Sequence, residues 1–216
     1  MTTPSYKFVS DVIPKNLWGL KCPHKMTPEY IVVHNTANDA SAKNEIAYMR
    51  NNTAAATSFH YAVDDKEVRQ AIPYNRNAYH AGDGDSGPGN RKGIGIEICY
   101  SKSGGSSFIE AEENAAQFIA ELLNEFGWGL EKVKKHQDFS GKYCPHRTLD
   151  LGWERFLSKV RGYMITEYTQ VNDIVYELSS RGIVSNTDLW LKKLEEDSDS
   201  YWLARKTVHY IRKAGK

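Results

Sequence analysis

A short, uninterrupted apolar run constrains the fold of this chain more than any other feature. Residues 30–34 read Tyr-Ile-Val-Val-His, so three β-branched residues follow one another with no polar residue between them. Such a run is typical of a strand buried on both faces, as in sheets that carry helices on each side. The run therefore predicts an inner strand of a covered sheet, with His34 at its end.

A second strand is predicted over residues 93–100, where polarity alternates. Three isoleucines occupy every second position, so they share one face of the strand. Glu97 lies on the opposite face, between Gly95 and Cys99, whose small side chains leave room beside the carboxylate. This strand is predicted to be apolar on one side and to present one acidic group on the other.

The remainder of the first 163 residues divides into shorter segments. Residues 1–28 are polar and interrupted by prolines, which predicts an N-terminal wrap with one short element. Further strands are predicted over 59–63, 68–72 and 133–136, helices over 38–51, 110–126 and 151–163, and loops over 81–92, 101–107 and 137–149. This order predicts an α/β fold, a central mixed sheet flanked by helices.

The character of the chain changes near Thr166. Apolar residues at helical spacing predict a helix over 171–178 that stops at Arg181-Gly182, a second helix capped by Thr187 or Asp188, and a third over 201–211. We therefore predict two units, a main domain at 1–163 and a small helical C-terminal domain at 166–216.

Composition excludes several classes of protein. Lys and Arg number 28 against 27 Asp and Glu, a balance unlike that of a strongly basic nucleic-acid binder. No apolar run approaches the ~20 residues of a membrane helix, and the first ten residues lack the apolar core of a signal peptide. We expect synthesis in the cytoplasm, with no membrane or nucleic-acid partner. The three cysteines do not indicate a disulfide framework.

Histidines and a cysteine near predicted strand ends suggest a metal site. His136 ends the strand at 133–136, Cys144 comes eight residues later, and His34 ends the strand at 30–34. Two histidines and one cysteine with an open fourth position are typical of catalytic zinc. Seven histidines and three cysteines leave other trios possible.

Five blocks, in order, resemble one known family. They resemble the zinc N-acetylmuramoyl-L-alanine amidases of the type-2 family, which occur in phage endolysins and bacterial autolysins and are related to animal peptidoglycan recognition proteins. The blocks are residues 30–37, 58–63, 79–82, 93–98 and 136–146. The resemblance extends from about residue 28 to about residue 160 and includes nothing of the C-terminal unit.

The resemblance implies a set of site residues. It implies Zn²⁺ held by His34, His136 and Cys144, Glu97 as the general base, and Lys142 as a cation beside the reacting carbonyl. Many members carry a tyrosine just before the position of His60, where this chain has Phe59. Phenylalanine cannot exchange a proton, so the proton transfer is left to Glu97.

Two further histidines keep open assignments. His60 is either a buried core histidine or a residue that orients a metal ligand from behind. His80, which precedes Ala81-Gly82, is a candidate for substrate contact.

The implied reaction is hydrolysis of the amide between the lactyl group of N-acetylmuramic acid and the L-alanine of the stem peptide in peptidoglycan. We expect a phage or prophage endolysin that acts on the cell wall after release. The alternatives are a non-catalytic peptidoglycan-binding module and a host autolysin or sporulation amidase. The C-terminal unit could bind the wall, dimerise or brace the main domain.

Overall fold

A six-stranded mixed sheet forms the centre of the molecule. The computed structural model describes residues 5–167 and 171–197, and residues 200, 204, 207 and 208. The strands lie in the order β1-β4-β3-β5-β2-β6, and of these neighbours only β3 and β4 are antiparallel. Their bounds are β1 Lys7–Ser10, β2 Tyr30–Asn35, β3 Tyr61–Val63, β4 Glu67–Gln70, β5 Gly93–Ile98 and β6 Val133–Lys135. The predicted fold class is confirmed.

Helices cover both faces of this sheet. The α-helices of the main part are α1 Trp18–Lys21, α2 Ala42–Asn51, α3 Pro88–Lys92, α4 Gly105–Phe126, α5 Gln137–Ser140, α6 His146–Asp150 and α7 Trp153–Glu167. Short 3₁₀ helices lie at Lys15–Leu17 and Leu130–Lys132. Among the described helices, none combines the length and apolarity needed to cross a bilayer.

The apolar face of β5 packs under α4 and α7. Its three isoleucines are fully buried there beside Ile31 and Val33 of β2, as the alternation predicts. From α4 this core receives the predicted stripe Ala115, Phe118, Ile119, Leu122 and Leu123. Removing this much apolar surface from water is the main stabilising contribution to the domain.

The opposite face of the sheet packs against α2 and carries the polar groups. Ala42, Ile46 and Met49 of α2 form a second apolar cluster with Ala62 and Cys99. The parallel strands β2 and β5 pair in a register that sets His34 directly beside Glu97. Side chains at equivalent positions of paired strands point to the same face, so both lie on the α2 side.

A buried lysine fixes the loop that follows α2. Lys21 is 1% exposed, and its Nζ donates to the backbone oxygens of Asn52 at 2.9 Å, Ala55 at 2.5 Å and Thr57 at 3.2 Å. An ammonium group has three donors, so these carbonyls satisfy it completely. The loop thereby becomes a fixed wall of the cleft described below.

The structure differs from the sequence prediction at several places. The N-terminal segment, predicted to hold one short element, contains β1, a 3₁₀ helix and α1, and no apolar pattern predicts β1 because its side chains are mostly exposed. Helix α4 begins at Gly105, five residues before the predicted start and at the second of two consecutive glycines with positive φ. The predicted loops at 81–92 and 137–149 contain the short helices α3, α5 and α6.

The C-terminal segment has its own apolar cluster. It contains α8 Val171–Ser180, which ends before Gly182 with φ +69°, and α9 Thr187–Glu196. The cap of α9 is Asn186, whose side-chain oxygen accepts from the Leu189 N–H at 3.0 Å, and not Thr187 or Asp188. Of the predicted helix at 201–211, residues 204, 207 and 208 are helical and the others lie outside the described residues. The cluster comprises Ile174, Val175, Leu178, Val184, Leu194, Ala204 and Val208.

Candidate active site

Three predicted ligand residues converge at one edge of the sheet. His34 lies at the end of β2, His136 directly follows β6, and Cys144 lies between α5 and α6. The Nδ1 atoms of the two histidines are 3.0 Å apart, and Cys144 Sγ is 4.0 Å from His34 Nδ1. All three side chains are buried, and their donor atoms lie within 4.8 Å of one another. The trio could therefore hold one metal ion.

The residue after His34 holds the cysteine in place. The Asn35 side-chain oxygen accepts from the N–H groups of Arg147 at 3.0 Å and Thr148 at 3.1 Å, which begin α6. The Asn35 backbone also hydrogen-bonds to Cys144 and thereby opposes the rise in its thiol pKa. Sequence reasoning missed Asn35. Asparagine is a residue that commonly caps helices, but the helix whose N–H groups it accepts from lies more than 100 residues away along the chain.

Burial keeps the imidazole rings of the site neutral. It lowers the pKa of His34 well below its usual value, helped by the nearby His80 and His136 rings. Burial likewise lowers the pKa of His136, and Lys142 adds to that effect. Neutral rings retain a lone pair for a metal ion. Burial also raises the pKa of Cys144 to about 11, so metal binding there would release a proton.

Two more histidines lie behind His34. His80 Nδ1 is 3.0 Å from His34 Nε2, and burial lowers the pKa of His80 to about 3. His60 accepts from the Gly95 N–H at 2.9 Å through Nδ1 and reaches the Arg76 carbonyl at 2.8 Å through Nε2. Burial lowers the pKa of His60 to about 4. His60 is thus a satisfied core histidine, whereas His80 contacts a ligand residue directly and borders the cleft.

A cleft opens in front of the three ligand residues. Residues of α2, the following loop, Glu97 and Lys142 line it, and Phe59 contributes an apolar patch. Lys142 is exposed, two residues before Cys144. The structure therefore places both predicted catalytic side chains, Glu97 and Lys142, at the same opening as the three candidate ligands.

Glu97 has the environment of a proton acceptor. Within the described part of the chain, its buried Oε2 atom has no hydrogen-bond partner. Burial, reinforced by the negative charge of Glu45, raises the pKa of Glu97 to about 8, while Lys142 acts in the opposite direction. A carboxyl group with a raised pKa and a free oxygen in a cleft is suited to exchanging protons near neutral pH.

The raised pKa of Glu97 gives a stability prediction for the protein without metal. Between the ordinary pKa of 4.5 and about 8, the folded state holds a proton that the unfolded state lacks. Stability contributed by this proton is present at low pH and is lost as pH rises through that window. Glu97→Gln removes the titration, so we expect the variant to gain about 4 kcal/mol relative to wild type between pH 5 and pH 9.

Urea unfolding of both proteins in the presence of a chelator measures this difference. Glu110→Gln, at an exposed position of α4, is the matched control for the loss of one carboxylate and should leave the free energy of unfolding close to that of wild type. A Glu97→Gln difference that stays constant from pH 5 to pH 9 would show that Glu97 titrates normally.

Comparison with known proteins gives consistent matches for the main domain. The family model described as N-acetylmuramoyl-L-alanine amidase matches residues 24–147, which include the three candidate ligands, Glu97 and Lys142. The chain is 62% identical over 146 residues to N-acetylmuramoyl-L-alanine amidase CwlA of Bacillus subtilis (strain 168), covering 68% of this chain and 53% of that protein. It is 61% identical over 149 residues to N-acetylmuramoyl-L-alanine amidase XlyB of the same strain, covering 66% and 47% respectively.

The solved structures agree with the sequence matches. The structure of PlyL superposes with a TM-score of 0.69 at 49% identity, covering 71% of this chain and 96% of that chain. The chain spans about half the length of the curated relatives it matches.

Proposed function

Because the chain belongs to the N-acetylmuramoyl-L-alanine amidase family, we propose that it hydrolyses the amide between the lactyl group of N-acetylmuramic acid and the L-alanine of the stem peptide. The substrate is bacterial peptidoglycan. The observation that carries the proposal is the convergence of His34, His136 and Cys144 beside Glu97 in one cleft. A binding module without catalysis would have no need of such an arrangement.

The donor set fits Zn²⁺. Two neutral imidazole nitrogens and one sulfur suit this cation, and within the described residues the metal-ligand group has three members. Three protein ligands leave a fourth position open, as in catalytic rather than structural zinc sites. When bound, zinc polarises a substrate carbonyl and lowers the pKa of water.

Glu97 provides the proton transfer. In its ionised form, the Glu97 side chain takes a proton from the attacking water, whose oxygen adds to the lactyl carbonyl carbon. The carbon–nitrogen bond then breaks, and Glu97 passes the proton to the alanine nitrogen. The products are a lactyl carboxylate and a peptide with a free N-terminal alanine. Lys142, at the rim of the cleft, stabilises the negative charge that develops on the carbonyl oxygen.

Digestion of purified peptidoglycan identifies the bond that is cleaved. Mass spectrometry should show released peptides that begin with alanine and glycan strands that keep their length. New reducing ends would indicate a glycosidase, and cleavage inside the peptide would indicate an endopeptidase. Tight binding to the wall with no product would favour the binding-module alternative.

The biological role we propose is lysis of a host bacterium by a phage or prophage. The same chemistry serves an autolysin or a sporulation amidase, so the reaction alone does not separate these roles. Production of the protein inside a bacterium, with and without an agent that permeabilises the membrane, does separate them. An endolysin should lyse the cells only when the membrane is permeabilised.

We further propose that the chain has two units, 1–163 and 166–216. The separate apolar cluster of α8 and α9 supports this division, and among the described side chains Met164 is the last one packed against the main core. Helix α7 continues to Glu167, so a truncated chain should end there. The C-terminal unit would bind the wall or join two copies of the chain.

Truncation after Glu167 should leave the catalytic unit intact. We expect the shortened chain to fold, bind zinc and cleave a soluble muramoyl-peptide at the wild-type rate. Activity on intact walls should fall, because a second binding surface raises the local enzyme concentration at its polymer. Wall pull-down and light scattering distinguish lost wall binding from lost dimerisation. A truncated chain that fails to fold would contradict the division.

A further inference from the structure

A line of hydrogen bonds runs from the backbone of β5 to the candidate metal ligands. The Gly93 carbonyl oxygen is 3.1 Å from His80 Nε2, and His80 Nδ1 is 3.0 Å from His34 Nε2. On the other side of its ring, His34 Nδ1 is 3.0 Å from His136 Nδ1. The line therefore begins at a backbone atom and ends where a metal would bind.

The Gly93 carbonyl oxygen determines which ring nitrogen carries the hydrogen in His80 and then in His34. A carbonyl oxygen can only accept, so His80 must carry its hydrogen on Nε2. A neutral imidazole has one such hydrogen, and His80 Nδ1 is left as an acceptor. His34 must then donate from Nε2, which leaves its Nδ1 lone pair facing His136 and Cys144. The reverse assignment would put two lone pairs 3.1 Å apart at Gly93.

The surroundings prevent the His80 ring from turning away. A Cβ at Gly95 would come within 2.7 Å of this ring, so the ring lies directly on the strand backbone. The N–H groups of His80 and Ala81 both donate to the side-chain oxygen of Asn90 at 2.7 Å. His60 in turn holds the Gly95 N–H, which fixes the backbone against which the His80 ring packs.

The close approach of the His34 and His136 Nδ1 atoms shows why the position of the hydrogen on His34 matters. At 3.0 Å, His34 and His136 could share a proton in a hydrogen bond, and that proton would block metal binding. Such a proton on His34 Nδ1 would remove the hydrogen from Nε2 and break the contact with His80. His80 thus disfavours the form of the site in which this proton lies on His34.

We propose that His80 is a positioning residue, which fixes the tautomer of His34 so that Nδ1 is a bare donor before a metal binds. The inference rests on the proposed metal site but requires no statement about the reaction. It assigns His80 to the metal side of the cleft and not to substrate contact. In this assignment the Gly93 carbonyl oxygen sets the tautomer of His80 and, through His80, that of His34.

Long-range proton–nitrogen NMR of the wild-type protein in chelator measures the tautomers directly. We expect His34 and His80 both to be protonated on Nε2 and not on Nδ1. A His34 ring protonated on Nδ1 would overturn the proposal, whether or not the protein is an amidase. This reading needs no variant, so it stands even if substitutions at His80 impair folding.

Zinc affinity, measured by chelator competition, tests the consequence. His80→Phe removes the acceptor, and we expect affinity to fall about 10–100-fold, the range for residues that support metal ligands. His80→Asn can offer its side-chain oxygen near the position of Nδ1 and should recover much of the loss. His24→Phe, at a partly exposed histidine outside the cleft, should bind as wild type does.

Equal zinc affinity in folded His80→Phe and wild type would also overturn the proposal. The proposed function fails by a different result. If wild-type protein binds zinc and shows the expected tautomers but releases no N-terminal alanine from peptidoglycan, the amidase assignment is wrong and the role of His80 stands.

Discussion

Glu97→Gln should lower the rate of amide hydrolysis by at least ~100-fold, the usual size of a general-base contribution. Glutamine keeps the shape of the side chain and removes the group that accepts a proton. The unpartnered Oε2 atom and the raised pKa of Glu97 are the observations behind this expectation. The rate of alanine N-terminus formation from a soluble muramoyl-peptide measures the effect.

Zinc content distinguishes this effect from a damaged metal site. The Glu97→Gln protein should retain one zinc per chain, because Glu97 is not among the three candidate ligands. Glu110→Gln serves again as the control and should keep the full rate. Wild-type turnover by Glu97→Gln would exclude Glu97 as the base and direct attention to another proton acceptor in the cleft.

Cys144→Ser should weaken zinc binding by more than about 100-fold, which is beyond the range for residues that only support ligands. Serine replaces a thiol, which ionises on binding zinc, by a hydroxyl that is a far poorer ligand. Activity should be lost at trace zinc concentrations. Equilibrium dialysis against buffered zinc measures the affinity.

The chain supplies a matched control for this substitution. Cys22 is also a fully buried free cysteine, but it packs with Ile13 and Ile46 in the cluster under α2 and is not among the candidate ligands. Cys22→Ser should retain zinc even if it lowers stability. If Cys144→Ser kept stoichiometric zinc and full activity, the ligand assignment would be wrong.

The two central strands of the sheet could be predicted because the order of apolar and polar residues along each of them shows which faces are buried. The unbroken run in β2 and the alternation in β5 depend only on which faces are buried, and both faces are covered as expected. The edge strand β1 could not be predicted in this way. It is held by backbone pairing with β4, while most of its side chains remain exposed.

The start of α4 shows a second limit. Gly104 and Gly105 adopt positive φ values, a conformation more common after helices than before them. A side chain at Gly104 would meet the guanidinium of Arg147, which donates to the backbone oxygens of Ser101 and Lys102. The turn is therefore shaped by a residue more than 40 positions away, and nothing local could reveal it.

The candidate site also contains residues that could be named from the sequence and contacts that could not. His34, His136, Cys144 and Glu97 could be named in advance because their residue types carry the chemistry and the resemblance orders them. Asn35 and the contact between His80 and His34 depend on tertiary neighbours, so only the structure reveals them. Sequence reasoning named His80 without its contact with His34, and it missed Asn35 altogether.

Removal and return of zinc tests the central claim most directly. Wild-type protein would be stripped with a chelator, dialysed and titrated with Zn²⁺ while N-terminal alanine release from a soluble muramoyl-peptide is followed. Our account predicts that activity disappears on stripping and returns in proportion to bound zinc, with saturation at one equivalent per chain. Full activity in the stripped protein, or bound zinc without any release of alanine, would contradict it.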